Sequence, residues 1–428
     1  MRTLILVLAL IGTSGFAQNK VLEIKRASFT SSFGLSASDS SIYLNIAKNQ
    51  YFNANPYDLW LYKLNLNLQI QDSLRLNQIL GFTDSLNQWP RMQKIECFNN
   101  TIYCLIELQD LSLNQGACQS TRTYLLELDE NLNYIKTFDF KEDTLTNTLF
   151  DFEIRDSVMI LAGFKYNCSP SDYIPWLCRV NLNNNSRLEK VVYSDLEPSV
   201  LFFDNPTILE AGYLASAQYT QNRTVFFNDS LSIVKSGFAV DPNATVWNQR
   251  NMISQFEYLP ISKDSTLAFA TTLVREGSIN SLDDYYTLGI SLLDRNYNIT
   301  KVDTFPLAAY DISTAYDIYS GPRPSRDPYD YRNLDSVLIT ISQHLINYDN
   351  FQSQDSNTIY LYNYNARKME MNWIKTIKTN YTSSDHSVAA LPGNRWVLSF
   401  NEYNWDRYQG PNLSVHLWLL DQNGSILN

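Results

Sequence analysis

A chain of 428 residues with a formal charge of -11 and 18% charged residues is poorly suited to neutralising nucleic-acid phosphates or anionic lipid headgroups. Its 28 Tyr, 21 Phe and 8 Trp favour pleated, half-buried surfaces. The length allows two or three ordinary domains or one large repeat, and the pattern along the chain selects the repeat.

In chain order, Arg2 precedes the apolar run Leu4 to Ile11, and small residues follow, ending in Gly15-Phe16-Ala17 before Gln18. This pattern predicts a secretory signal peptide over 1–17. The run is much shorter than the roughly 20 residues of a spanning helix, and no later stretch reads as one. No cysteine follows the expected cut. The expectation is an exported chain, periplasmic or extracellular, with a single domain over 18–428.

The remainder is built from one unit used seven times. Its first half is a hairpin around a polar turn: Gly34 to Leu44, Ile95 to Leu105, Phe152 to Leu161, Thr207 to Ala215, Leu259 to Ala268, Asn333 to Ile339 and Ala390 to Leu398. The first and last turns, near Asp39 and Gly393, are six intervals apart, a mean repeat of 59 residues. Its second half is an alternating run that ends in Asn or Asp: Leu59 to Asn67, Tyr124 to Asn131, Trp176 to Asn183, Thr224 to Ser230, Gly289 to Asn296, Ile359 to Asn365 and His416 to Asn423. Such runs read as strands entering tight turns. Two hairpins per unit make four antiparallel strands, so the fold class is all-β and the architecture a seven-bladed β-propeller.

The fourth strand of five units carries a lysine: Lys136, Lys190, Lys235, Lys301 and Lys375. The first unit has Gln71-Asp72 instead, and a similar lysine, Lys25, stands near the N-terminus. The last unit runs only to Ser425-Ile426-Leu427-Asn428. Residues 21–28 are therefore expected to supply the outer strand of the last blade and close the ring. An open stack of sheets or two β-sandwiches would leave that strand without a blade. The lysines themselves are read as edge charges that oppose pairing with other molecules.

Of five cysteines, Cys104 and Cys118 bracket one loop and Cys168 and Cys178 another. In an exported chain both pairs are expected to form loop-closing disulfides, with Cys97 a buried thiol. Their spacing matches no paired zinc pattern and no His is near, so no metal is expected.

In a four-stranded blade, the connections between strands one and two and between three and four share one face of the ring. Those between two and three, and from blade to blade, share the other. The first set is short at Asp39-Ser40, Asn99-Asn100 and Asp264-Ser265; the second is long at 109–122, 165–175, 275–285, 343–357 and 401–413, and at 78–91, 194–206, 239–252 and 306–332. Long loops on a rigid scaffold are the expected address of function. The ligand-binding candidates on that face are Trp89 with Arg91, Trp247 with Arg250, Arg323, Arg326 and Tyr329 in the longest insertion, and Trp405, Asp406 and Arg407. Arginine forks suit oxyanions, although local packing explains any one of these residues equally well. His386 precedes the innermost strand of the last blade and is a candidate for the central channel. No nucleophile elbow, zinc-protease helix, phosphate loop or EF-hand is present, and no cofactor is implied.

On Phe16-Ala17-Gln18 and Leu419-Leu420-Asp421-Gln422-Asn423-Gly424-Ser425, the chain resembles the secreted propeller-type proteins of Bacteroidota over its whole length. Many of those end in a type IX sorting domain, which does not precede Asn428 here. Asp72-Ser73-Leu74 and Asp156-Ser157-Val158 resemble that group's O-glycosylation sites, although turn chemistry alone accounts for them. Two function classes follow. One is a monomeric, non-catalytic module whose long-loop face meets a glycan, peptide or envelope partner. The alternative is a carbohydrate-active hydrolase or lyase with its site in the central funnel.

Overall fold

In the computed structural model, described residues are 21–22, 29–51, 54–82, 88–110, 120–140, 146–166, 173–191, 202–209, 212–218, 223–237, 252–262, 264–274, 285–309, 315–324, 334–346, 356–379, 386–406 and 410–427. A two-residue strand β1 (Val21–Leu22) comes first. Blade one follows as β2 (Phe29–Ala37), β3 (Ser41–Tyr51), β4 (Ala54–Asn65) and β5 (Ile70–Arg75), then a short helix α1 (Leu76–Ile79). Blade two is β6 (Gln88–Phe98), β7 (Thr101–Asp110), β8 (Ser120–Asp129) and β9 (Tyr134–Asp139); blade three is β10 (Thr146–Arg155), β11 (Val158–Tyr166), β12 (Tyr173–Asn181) and β13 (Arg187–Val191). Blade four is β14 (Phe202–Leu209), β15 (Gly212–Gln218), β16 (Arg223–Phe227) and β17 (Ile233–Gly237); blade five is β18 (Met252–Ser262), β19 (Ser265–Val274), β20 (Tyr285–Asp294) and β21 (Ile299–Ala309). Blade six is β22 (Ala315–Pro324), β23 (Val337–Ile346), β24 (Ser356–Asn365) and β25 (Glu370–Thr379), and blade seven adds β26 (His386–Leu391), β27 (Arg395–Asp406) and β28 (Gly410–Leu420).

The seven four-stranded antiparallel sheets are arranged as a seven-bladed propeller. Six run in sequence order; the seventh runs β1-β28-β27-β26. Its outer position is filled from both ends of the chain. Val21 and Leu22 pair with His416 and Val415, while Ile426 bridges Leu420 and the Leu427 amide donates to the Leu419 carbonyl at 2.7 Å. The expected closure by the N-terminal segment thus holds at Val21–Leu22, and 23–28 lie outside the described residues.

Apolar residues alternate along each strand and meet between blades. One such core joins Tyr103, Leu105 and Leu125 of blade two to Phe152, Leu161 and Trp176 of blade three. Each strand-three-to-four turn is made by local chemistry. Asp129 Oδ1 accepts the amides of Asn131 and Asn133, at 2.9 and 2.8 Å, and Asn65, Asn228, Asp294 and Asp421 do the same in their blades. One turn residue takes a left-handed conformation: Leu68, Leu132, Leu231, Tyr297 and Met369 among them. That costs a non-glycine residue roughly 1–2 kcal/mol. Full burial of a leucine contributes about 1.5–3 kcal/mol, and Leu231 is wholly buried in the core shared with blade three, so packing wins.

The fourth-strand lysines do more than guard an edge. Lys235 Nζ donates to the Asn296 carbonyl (2.8 Å) and Asn298 Oδ1 (2.7 Å) in the turn of the next blade. Lys136 reaches Asn185 Oδ1 at 3.0 Å and Lys375 reaches Ser425 Oγ at 3.0 Å, again one blade on. They clasp neighbouring blades together, which corrects their reading as edge charges alone.

Inner strands β2, β6, β10, β14, β18 and β22 each carry a register shift, after Ser32, Met92, Leu149, Asp204, Ser254 and Ile318. An extra residue bends and twists a strand, so the channel edge is re-aimed at the same level in six blades.

The asymmetry between faces holds in part: on the long-loop face, strands two and three are joined by only residues 52–53 in blade one and 407–409 in blade seven. Connections between strands one and two are two or three residues in six blades, but residues 325–336 join β22 to β23. Part of the segment expected to be a loop is strand: Arg323 is in β22 opposite Thr340, while Arg326 and Tyr329 lie outside the described residues. A second correction concerns 401–413, most of which is a hairpin of β27 and β28 rather than a loop.

Candidate functional site

The site with a described constellation of polar side chains lies at the long-loop end of blades two and three. Arg91 on β6 and Glu107 on β7 are directly opposed, and opposed residues of an antiparallel pair share a face. Arg91 is exposed, while Glu107 is only 5% exposed. The bulge after Met92 inserts Gln93, whose Nε2 donates to Glu107 Oε2. Across the blade boundary, Thr148 Oγ1 lies 3.5 Å from Glu107 Oε1. Thr123, opposite Glu107 on β8, is buried and accepts the Leu149 amide at 3.2 Å.

Burial pushes the Glu107 carboxyl above the usual glutamate range; the Arg91 charge and hydrogen bonds from Gln93, Gln109 and Thr148 oppose the rise without cancelling it. The carboxyl oxygens accept hydrogen bonds from these neighbours. Beside it, Arg91 offers a fork of N–H donors at the surface. The pair is a compact donor–acceptor site suited to hydroxyl groups.

Further along the same seam, Lys165 is 2% exposed and sits 2.8 Å from Glu189 Oε2, over the Trp176 ring at 4.2 Å. Burial alone would raise the Glu189 pKa, but the hydrogen bond and charge of Lys165, with Arg187, bring it below the usual value. This buried pair ties strand two of blade three to strand four and is a structural element.

Of the candidates read from the sequence, only Arg91 and His386 have described side chains. Trp89 is in β6 opposite Gln109, and Trp405 and Asp406 end β27 opposite Pro411 and Gly410. Trp247, Arg250, Arg326, Tyr329 and Arg407 lie outside the described residues. His386 is 2% exposed, and its Nε2 is 2.9 Å from Thr340 Oγ1 of blade six. It is held between blades rather than aimed into the channel. Glu107 escaped sequence reasoning, although a glutamate inside the run Ile102 to Leu108 was a signal.

The expected disulfides are corrected as well. Cys104 and Cys178 are free, fully buried thiols in the middle of β7 and β12. Strand alternation turns them into inter-blade cores and away from the loops. Burial raises both thiol pKa values, that of Cys178 to about 12, which makes them unreactive. Cys118 and Cys168 lie outside the described residues. Among the described residues no group of three His, Cys, Asp or Glu side chains could hold a metal ion, and no helix is long and apolar enough to cross a membrane.

No protein-family model and no curated protein sequence matches the chain. Solved structures similar to it include the uncomplexed acylaminoacyl peptidase of Pyrococcus horikoshii, at 10% identity and TM-score 0.48 over 96% of this chain and 54% of that one. Another is the NanB sialidase of Streptococcus pneumoniae, at 10% identity and TM-score 0.40 over 96% of this chain and 72% of that one. A member of the DUF4221 family from Bacteroides vulgatus is 12% identical, with TM-score 0.36 over 84% of this chain and 96% of that one. The chain spans about half the length of the peptidase. These distant likenesses carry no activity over to this chain, whose architecture rests on its own strand pairing.

Proposed function

We propose that the protein is an exported, non-catalytic binding propeller that takes a neutral oligosaccharide on its long-loop face. The observation that carries this reading is the exposed Arg91 guanidinium directly opposite the buried, hydrogen-bonded Glu107 carboxyl at the long-loop end of blades two and three. Adjacent donor and acceptor groups match vicinal sugar hydroxyls, and hydrogen bonds to a charged group are worth about 1.5–3 kcal/mol each. The net charge of -11 weighs against a polyanionic ligand through long-range repulsion. The signal-peptide pattern over 1–17 supports export, where glycans are met.

The test is calorimetric titration of the mature chain with neutral xylo-, manno- and cello-oligosaccharides. Arg91→Ala is expected to weaken binding at least about tenfold, the loss of one charged hydrogen bond, while the melting temperature stays within a degree or two. Unchanged affinity in that variant would remove this site. Release of shortened sugars on prolonged incubation would replace the binding reading with an enzymatic one.

A further inference from the structure

The register shift that recurs in the inner strands makes the residue following it comparable from blade to blade. That residue is Gly34 in blade one, Lys94 in blade two, Asp151 in blade three, Thr207 in blade four, Phe256 in blade five and Ser320 in blade six. Among these six, blades two and three are the neighbours that place opposite charges at this position. Theirs is also the boundary at which Arg91 and Glu107 stand.

The two charges meet. Lys94 Nζ lies 2.6 Å from Asp151 Oδ1, with both side chains largely buried. It also donates to the Phe152 carbonyl and sits 5.2 Å from the centre of the Phe152 ring, with Glu96 Oε2 3.5 Å away. Asp151 is itself fixed, since its Oδ1 accepts the Phe152 amide at 2.8 Å. Behind it, β11 presses on the β10 bulge: a Cβ at Gly163 would fall 2.0 Å from the Thr148 carbonyl oxygen and 2.8 Å from Leu149 Cα. On the other side of the same bulge, Thr148 and Leu149 contact Glu107 and Thr123 of blade two. Strand β10 is therefore a rigid wall held to blade two on both sides of its bulge, and Lys94 is the grip of blade two on it.

Lys94 directly follows Gln93, the inserted residue whose amide donates to Glu107 Oε2. A bulge leaves its extra residue outside the ladder, so the direction Gln93 takes depends on how the strand leaves the bulge. We infer that Lys94 and Asp151 are positioning residues for the Arg91–Glu107 site, their ion pair anchoring the β6 bulge on blade three so that Gln93 is seated against Glu107. This rests on the binding function proposed above. Blade two supplies the groups that meet the sugar, and blade three sets where they stand.

Titration with neutral xylo-, manno- and cello-oligosaccharides and carbon-13 NMR of the Glu107 carboxyl test it together. Lys94→Met and Asp151→Ala should each weaken sugar binding about fivefold, the loss of one hydrogen bond, while Lys94→Arg keeps the wild-type affinity. In a Gln93→Ala background neither substitution should weaken binding further. Burial raises the Glu107 pKa and the Gln93 bond opposes that rise, so Asp151→Ala should move the carboxyl titration upward. Loss of a negative charge acting through space alone would move it downward. Melting curves confirm that the variants are folded. Unchanged affinity in both variants, a lowered or unmoved titration in Asp151→Ala, or an affinity loss undiminished in the Gln93→Ala background overturns the positioning role. The proposed function then stands as long as Arg91→Ala weakens binding. Binding insensitive to Arg91→Ala, or no sugar bound at all, overturns the proposed function, and the Glu107 titration still decides whether Lys94 and Asp151 seat Gln93.

Discussion

Glu107 shows how one buried carboxyl couples a site to stability. Folding raises its pKa, chiefly through burial, so the native state holds this proton more tightly than the unfolded chain. The contribution is complete below the ordinary glutamate pKa of about 4.3 and is lost as pH rises through the raised native value. Glu107→Gln removes that loss. Chemical unfolding from about pH 4 to about pH 8 should show the variant gaining on the wild type as pH rises; parallel curves would mean the carboxyl is not titrating as described. Sequence reasoning could reach Arg91, since an arginine two residues after Trp89 in the long connection 78–91 is conspicuous. It could not reach the pairing with Glu107, which depends on register. The cysteines misled for a related reason. Their loop-bracketing spacing is a property of the chain, whereas the direction each thiol takes is decided by strand parity, which carries Cys104 and Cys178 inward.

At the level of elements, the strand-three-to-four turn was legible because its chemistry is local: a leading Asx side chain and a polar residue four positions on. What the turn residue touches was not legible. In blade seven the left-handed position is Gly424, at φ 70°, and a Cβ there would overlap the Trp373 ring from blade six. Trp373 also donates to the Gln422 carbonyl at 3.1 Å. The slot that a leucine of the turn fills elsewhere is occupied here by a neighbour's indole. Gly424→Ala should therefore destabilise by about 2 kcal/mol or more, from strained backbone and overpacking together. Adding Trp373→Leu should recover part of the loss in denaturant unfolding, and strictly additive effects would refute the shared slot. Residues 315–324 read as loop because Gly321, Pro322 and Pro324 look like loop punctuation, yet they form β22. Proline is excluded from central strands, but an inner blade strand has one unpaired edge and tolerates it. Pro90 in β6 and Pro260 in β18 are further cases.

For the whole molecule, seven units and a displaced outer strand were readable because the repeat period and the hairpin turns agree. The route of closure was readable only in outline. Lys25 suggested a strand over 21–28, while the described pairs place Val21 against His416 and Leu22 against Val415. Removing residues 18–28 should weaken the ring as one cooperative unit, by roughly 3 kcal/mol or more, seen as a lower melting temperature with all probes coincident. A deletion product of full stability would count against closure by this segment.

That composite outer strand also sets an order of events. Blades one to six each consist of consecutive residues and can assemble as the chain emerges, each on its predecessor. Val21 and Leu22 must wait for residues almost a whole chain length away, and contacts at such separation form late. Until then the outer edge of β28 has no β1, and the ring is an open arc. The first segment thus idles while the last hairpin is decisive, so interruption of synthesis before residue 415 leaves six blades with nothing to latch them.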